Sequence, residues 1–261
     1  MSRDLLLARF DRPGASLAVT SREGGVSRGG YASLNIGLHV GDDPAAVIEN
    51  RRRAAAALGR GLDDLVFAEQ VHGAGVALVR SADRGRGART IEEAFAGADA
   101  LVTGEPGPVL VGLGADCPVV GLFDAGAPAL GVAHAGWRGV AAGVIEATIV
   151  AMMEAHGARP ERMLAIVSPS IGPCCYEVGT EVIEAIGTGH ARTGHARPGT
   201  RGRPHLDLRA AVEARLRAAG VKGSIEGEPL CTACAPDRLF SHRGARGRPT
   251  GRHAVMGALR S

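Results

Sequence analysis

Three runs near the middle of the chain, 109–114 (VLVGLG), 118–123 (PVVGLF) and 129–133 (ALGVA), follow one another closely. Each is continuously apolar and bounded by turn-forming residues. A run this short with no polar face reads as a strand buried on both sides rather than as an amphipathic helix. The chain must therefore build its core around a sheet. Helical patterns are fewer and longer. Residues 44–58 (PAAVIENRRRAAAAL) read as a helix with Pro44 in its first turn and Gly59 just past its end. From Val140 to His156 apolar residues recur at 141, 144, 145, 148, 149, 152 and 153, a helical stripe that ends at Gly157. Asp207 is placed to cap a helix that runs through Ala219 and closes at Gly220. No linker interrupts these patterns, so the expected fold is a single α+β domain over residues 1–261. An apolar fraction of 45 % is enough to fill its core.

Composition removes several classes of function. Aromatic residues make up only 3 % of the chain, too few for a stacking platform that would bind single-stranded nucleic acid. The 30 basic residues nearly balance the 27 acidic ones, and Lys222 is the only lysine. An arginine-rich, near-neutral chain suits a small anionic ligand, because the guanidinium fork matches phosphate oxygens. No apolar run reaches the roughly 18–20 residues of a membrane span. The opening MSRDLLLARFDRPG lacks the pattern of a signal peptide. An odd count of five cysteines implies free thiols. The expected location is the cytoplasm. Residues 187–204 (GTGHARTGHARPGTRGRP) repeat TGHAR and carry no periodic apolar face, so they are expected to form a flexible surface insert.

Chemistry is expected where strands end, since a sheet fixes the backbone there without burying the side chain. Cys117 lies between the first two apolar runs, and His134 ends the third, 17 residues later. His72, in EQVHG, follows another apolar stretch. One thiol and two imidazoles make a three-ligand metal set with a position left open, which is the mark of a catalytic rather than a structural zinc. Two other readings stand beside it: Cys117 as a small packed hydrophobe, or as a thiolate nucleophile with His134 as its base.

The turn HAGWRG adds an anion-binding possibility. Gly136 and Gly139 flank Trp137 and Arg138 before a helix whose free N–H groups favour negative charge. Asp116 is a candidate to orient a ligand imidazole, although strand alternation points it away from Cys117. Cys231 and Cys234 form a C-x-x-C, but the only other pair, Cys174 and Cys175, is adjacent, without the usual zinc spacing. Ordinary packing or pocket lining is expected of these four cysteines. The Gly/Pro-framed SIGPCCYEVG is expected to line a pocket.

Several stretches together resemble one family. SREGGVSRGGYASLNIGLHVGDDPAAVIENRR, FAEQVHG, GADALVT, ADCPVV, HAGWRG, SPSIGPCCYEVG and CTACAPDRLFSHR, in this order from Ser21 to His253, are similar to the YfiH/YlmD-like proteins. That family also carries the labels multicopper polyphenol oxidase, laccase domain and peptidoglycan editing factor. The metal positions match it, and the duplicated TGHAR departs from it. The resemblance implies a layered mixed β-sheet with helices on the outer faces. It implies a zinc-dependent enzyme that phosphorolyses adenosine, inosine, guanosine and methylthioadenosine and deaminates adenosine, with inorganic phosphate as co-substrate. Purine nucleosides are then the partners, with no nucleic acid and no membrane.

Carried over residue by residue, the resemblance makes His72, Cys117 and His134 the metal ligands and catalytic centre. Arg51, 21 residues before His72, becomes an active-site arginine. Beside these, Asn35, Gly136 and Arg138 are candidate contacts for substrate or phosphate. The editing label implies instead an amide hydrolase, using Cys117 and His134, that removes a misincorporated L-serine from a cell-wall precursor. The laccase label implies copper. A blue-copper site plus a copper cluster calls for more imidazoles than this chain's nine histidines can gather, so copper binding is expected to be adventitious.

Overall fold

The computed structural model describes residues 5–187, 196, 197, 199 and 202–260. The insert expected at 187–204 lies largely outside them. In chain order the strands are β1 (Leu6–Arg12), β2 (Ala15–Thr20), β3 (Leu65–Phe67), β4 (Val76–Leu78), β5 (Ala100–Thr103), β6 (Val109–Gly114), β7 (Val119–Asp124), β8 (Ala129–His134), β9 (Leu164–Val167), β10 (Ala196–Arg197), β11 (His205–Leu206), β12 (Ile225–Glu226) and β13 (His253–Leu259). The helices are α1 (Pro44–Ala57), α2 (Trp137–Ala142), α3 (Val144–His156), α4 (Thr180–Gly187), α5 (Leu208–Ala218) and α6 (His242–Ala245).

Two mixed sheets carry the fold. One has the order β1-β2-β13-β6-β3 and the other β12-β9-β7-β8-β5-β4. They pack face to face through Leu17, Leu110 and Val255 of the first and Val119, Phe123, Leu130 and Ile166 of the second. The opposite face of the first sheet is covered by Ala54, Ala55 and Leu58 at the end of α1. The opposite face of the second is covered by α3 and α5, through Ile145, Ile149, Met152, Val212 and Leu216. Each sheet is thus covered on both faces, which is why its strands read as unbroken apolar runs. Within β7, Val120 and Leu122 face the helices while Val119 and Phe123 face the other sheet. Burial of each such side chain stabilises the fold by about 1.5–3 kcal/mol. The sheets approach closely because a glycine faces inward at 121, where a Cβ would lie 2.4 Å from Leu17 Cδ2.

The layered α+β architecture and the three central strands match expectation. So do α1, capped by the Asp43 side chain on Ala45 N–H, and α5, capped by Asp207 on Ala210 N–H. The stripe from Val140 to His156 does not form one helix. It is two, α2 and α3, broken at Gly143, whose left-handed φ of 87° ends the first and opens the second. The stripe survives the break because α3 keeps Val144, Ile145, Thr148, Ile149 and Met152 buried. No helix among the described residues is long and apolar enough to cross a membrane.

Candidate active site

β3 and β6 run parallel as neighbours in the first sheet, so both end at the same edge. From that edge each chain segment crosses to the second sheet: residues 68–75 lead to β4 and carry His72, and residues 115–118 lead to β7 and carry Cys117. β7 pairs antiparallel with β8, with Val119 opposite His134, which places the end of β8 beside the start of β7. Three distant residues thereby meet. One donor atom from each of His72, Cys117 and His134 lies within 4.8 Å of the others, and the two imidazoles stand edge to face with centroids 4.8 Å apart.

The surroundings are built to this spacing. Gly136 packs against the triad so tightly that a Cβ there would lie 3.0 Å from Cys117 Sγ, 3.3 Å from His72 Cδ2 and 3.5 Å from His134 Cε1. Asp99, fully buried just before β5, accepts His134 Nδ1–H at 2.9 Å. Its two oxygens also accept the backbone N–H groups of His72 (2.9 Å) and Gly73 (2.7 Å). One carboxylate therefore orients both histidines and leaves Nε2 of His134 free to ligate, the usual support of a metal-bound imidazole. Burial alone would push the His134 imidazole down and the Cys117 thiol up. The hydrogen bonds among Asp99, His134, Cys117 and His72 outweigh it, raising the imidazole and lowering the thiol. Of the four non-glycine residues with positive φ among the described residues, three border the cavity: Gln70 (61°), His72 (64°) and Asp116 (97°). Such strain is held where surrounding contacts overdetermine it. Gln70 shows how, as its amide both donates to and accepts from the Leu113 backbone, at 2.9 and 2.8 Å.

The triad opens into a cavity of about 400 Å³, a size that suits a small-molecule ligand. Arg138, Arg243 and Arg252 line it together with His39, His242 and Tyr176, and the three guanidiniums outnumber the two lining carboxylates, Glu69 and Asp116. Arg138 stacks on Trp137, with 4.5 Å between Cζ and the ring, and forms no ion pair among the described residues. A larger hollow of about 520 Å³, lined by Arg22 and Arg248, contains none of the triad.

The other expected site residues divide. Arg138 and Gly136 are in place. Arg51 is not brought to the cavity: it is buried, stacks on Phe67, and donates to the carbonyls of Ile36, Gly87 and Ala88. The cavity's own buried-edge arginine is Arg252. Asn35 does not line the cavity either; its side chain accepts Arg252 N–H at 2.9 Å and donates to Asp42, so it positions the segment that carries Arg252. Asp116 orients no imidazole. Its carboxylate accepts Thr232 Oγ1–H, Ser241 Oγ–H and Arg243 N–H, each at 2.6 Å, which ties the Cys117 crossing to the 232–243 segment. The orienting role falls to Asp99. A lone Asp before an apolar strand in GADALVT was the available signal for it, and none marked Arg252. α2, at six residues, is too short to act as the long helix expected to offer its N-terminus to an anion.

The four remaining cysteines also differ from expectation. Tyr176 lines the cavity, but Cys174 and Cys175 do not; they gather with Cys231 and Cys234 in a second group whose Sγ atoms all lie within 4.8 Å of one another.

Comparison with known proteins bears on both fold and site. Residues 16–260 match the family described as multi-copper polyphenol oxidoreductase laccase. The chain is 40 % identical over 242 residues to purine nucleoside phosphorylase YlmD of Geobacillus stearothermophilus, covering 92 % of this chain and 88 % of that one. It is 38 % identical over 219 residues to adenosine deaminase RL5 of an unknown prokaryotic organism, covering 83 % of each. The crystal structure of YlmD superposes with a TM-score of 0.91 at 36 % identity, over 99 % of this chain and all of that one. That of YfiH from Bacillus licheniformis superposes at 0.90 and 34 % identity, over 96 % and 98 %.

Proposed function

The chain belongs to the multi-copper polyphenol oxidoreductase laccase family, among its YfiH/YlmD-like members, and on that premise we propose that it is a zinc-dependent purine nucleoside enzyme. Its reactions are phosphorolysis of adenosine, inosine, guanosine or methylthioadenosine and deamination of adenosine. We assign this activity to a single cytoplasmic domain that acts on small molecules rather than nucleic acid. The observation that carries the proposal is the closed set of His72, Cys117, His134 and Asp99 at the base of an arginine-lined cavity.

The donor set fits zinc: one soft and two borderline ligands, a carboxylate behind one imidazole, and no fourth protein ligand among the described residues. When bound, zinc supplies a Lewis acid with one coordination position open to a small ligand. The same donors would also accept copper, which outcompetes zinc in affinity. Only one histidine-containing donor group assembles among the described residues, which argues against multicopper oxidase chemistry.

The chain's own residues do the rest. In phosphorolysis a phosphate oxygen bonds to C1′ of the ribose while the bond from C1′ to the purine nitrogen breaks, its electron pair leaving with the base, which takes up a proton. Arg138 and Arg252 hold the phosphate, replacing Arg51 in that role, and their charge stabilises the transition state electrostatically. Gly136 keeps that approach clear of a side chain. In deamination, water adds to the purine carbon bearing the amino group, and ammonia leaves.

The test is zinc-analysed protein incubated with adenosine, with and without phosphate, with products resolved by chromatography. Expected are adenine plus ribose 1-phosphate only when phosphate is present, inosine in either case, and neither in His134→Ala. No turnover of adenosine, inosine or methylthioadenosine by zinc-loaded protein would reject the proposal. The amide hydrolase using Cys117 and His134 would then take its place, recognised by activity that survives chelation.

A further inference from the structure

We propose that Cys174, Cys175, Cys231 and Cys234 form a second metal site, a tetrathiolate that holds a structural zinc ion. All five cysteines are free, and these four bring their Sγ atoms within 4.8 Å of one another. Cys234 Sγ lies 3.4 Å from Cys175 Sγ and 3.6 Å from Cys174 Sγ. Four sulfurs around one zinc at about 2.3 Å stand on a tetrahedron with edges of about 3.8 Å. The cluster is thus already close to the size of the filled site.

The scaffold holds the thiols from outside. Ser170 and Cys231 pair as a short parallel bridge, joining the two loops that supply the cysteines. Cys231 and Cys234 share a tight turn in which Cys234 N–H and Ala235 N–H both donate to the Cys231 carbonyl at 3.1 Å. That turn supplies the two-residue spacing common in structural zinc sites. Gly172 donates its N–H to Cys231 Sγ at 3.2 Å, which favours a thiolate there. A Cβ at Gly172 would sit 3.1 Å from Cys231 Cβ and 3.3 Å from Cys174 Sγ, so a side chain there would crowd both cysteines. Cys174 and Cys234 are exposed, giving an ion a way in.

The adjacent pair Cys174–Cys175 hid the site in the sequence, because adjacency breaks the expected spacing while the fold still turns both sulfurs toward Cys234. With four sulfur donors the site is closed, so its role is structural. Ile171 N–H donates to the Asp116 carbonyl at 2.9 Å, and Thr232 Oγ1 donates to its carboxylate. Zinc here would clamp the two loops that grip Asp116, one residue from Cys117.

The experiment counts zinc and reads its ligand shell by X-ray absorption, on full-length protein grown with zinc and kept in a non-chelating reductant. The Cys117→Ser/His134→Ala variant, with the catalytic triad disabled, is expected to retain one zinc per chain in an all-sulfur shell. Cys231→Ser/Cys234→Ser is expected to lose one zinc relative to the unaltered protein and to melt at lower temperature. A triad-disabled variant without zinc, or a disulfide among the four cysteines under these conditions, overturns the proposal. Should either variant fail to fold, the unaltered protein decides: two zinc ions with a sulfur-dominated average shell support the site, and a single zinc with mostly nitrogen and oxygen rejects it. An all-sulfur zinc in a protein that turns over no nucleoside would leave this site standing and remove the catalytic proposal alone.

Discussion

The triad draws its donors from two crossings between sheets and the end of one strand, with His72 and His134 62 positions apart. The four cysteines come from two loops joined by a single bridge between Ser170 and Cys231. The triad is braced from behind by the buried carboxylate of Asp99, and it opens onto a cavity. The cysteine group has four donors, two of them exposed, and borders no cavity of its own among those described. Three donors with a braced imidazole leave a position for chemistry, whereas four donors close it. Cysteine therefore serves a reactive centre or a staple, according to which donors converge with it and what stands behind them.

The largest expected effect separates the two regions outright. His134→Ala abolishes nucleoside turnover and empties the triad while the cysteine group keeps its zinc; parallel metal analysis and activity assays check this. Equal loss of metal from both regions would mean that they are one folding unit rather than two sites.

Acid should weaken the triad's side of the molecule. His253 lies opposite Gly114, at the end of β6 where the Cys117 crossing begins, and its complete burial pushes its pKa down to about 4 from 6.5. The folded state then binds fewer protons than the unfolded one between those values, so this contribution is intact above pH 6.5 and is lost as pH falls toward 4. The full span is worth about 3 kcal/mol. Urea unfolding of metal-free protein across this range should show His253→Gln with a pH slope shallower by up to about 1.4 kcal/mol per unit than the parent. An unchanged slope would remove His253 from the account.

Asp99→Asn keeps the size of the side chain but weakens its hold on His134 Nδ1–H. It should lower triad metal affinity or activity by about 10- to 100-fold and leave the cysteine group untouched. A change of comparable size is expected from Gly136→Ala, whose new methyl meets Cys117 Sγ at 3.0 Å. The crowding costs about 1–3 kcal/mol and should appear as weaker metal binding at the triad. Unaltered affinity in a competition titration would show that α2 can shift aside.

Much of this protein can be read without its coordinates. The apolar runs at 109–114, 118–123 and 129–133 identify the central strands, because residues covered on both faces tolerate no polar group. Capping residues set the ends of α1 and α5 within a residue or two. Residue type and position at strand ends made His72, Cys117 and His134 candidates, the family resemblance singled them out, and the structure brings them together. Tertiary structure alone decided the rest. Arg51 and Arg252 are the same residue type, but one is spent on three backbone carbonyls in the core and the other lines the cavity. Asp99 takes the role expected of Asp116 because the left-handed turn at Asp116 aims its carboxylate at Thr232 and Ser241. The cysteines meet only because a bridge between Ser170 and Cys231, 61 positions apart in sequence, draws two loops together. Local pattern reports what one segment can bury or cap. Which side chains face each other depends on contacts between segments, and no spacing within a segment records those.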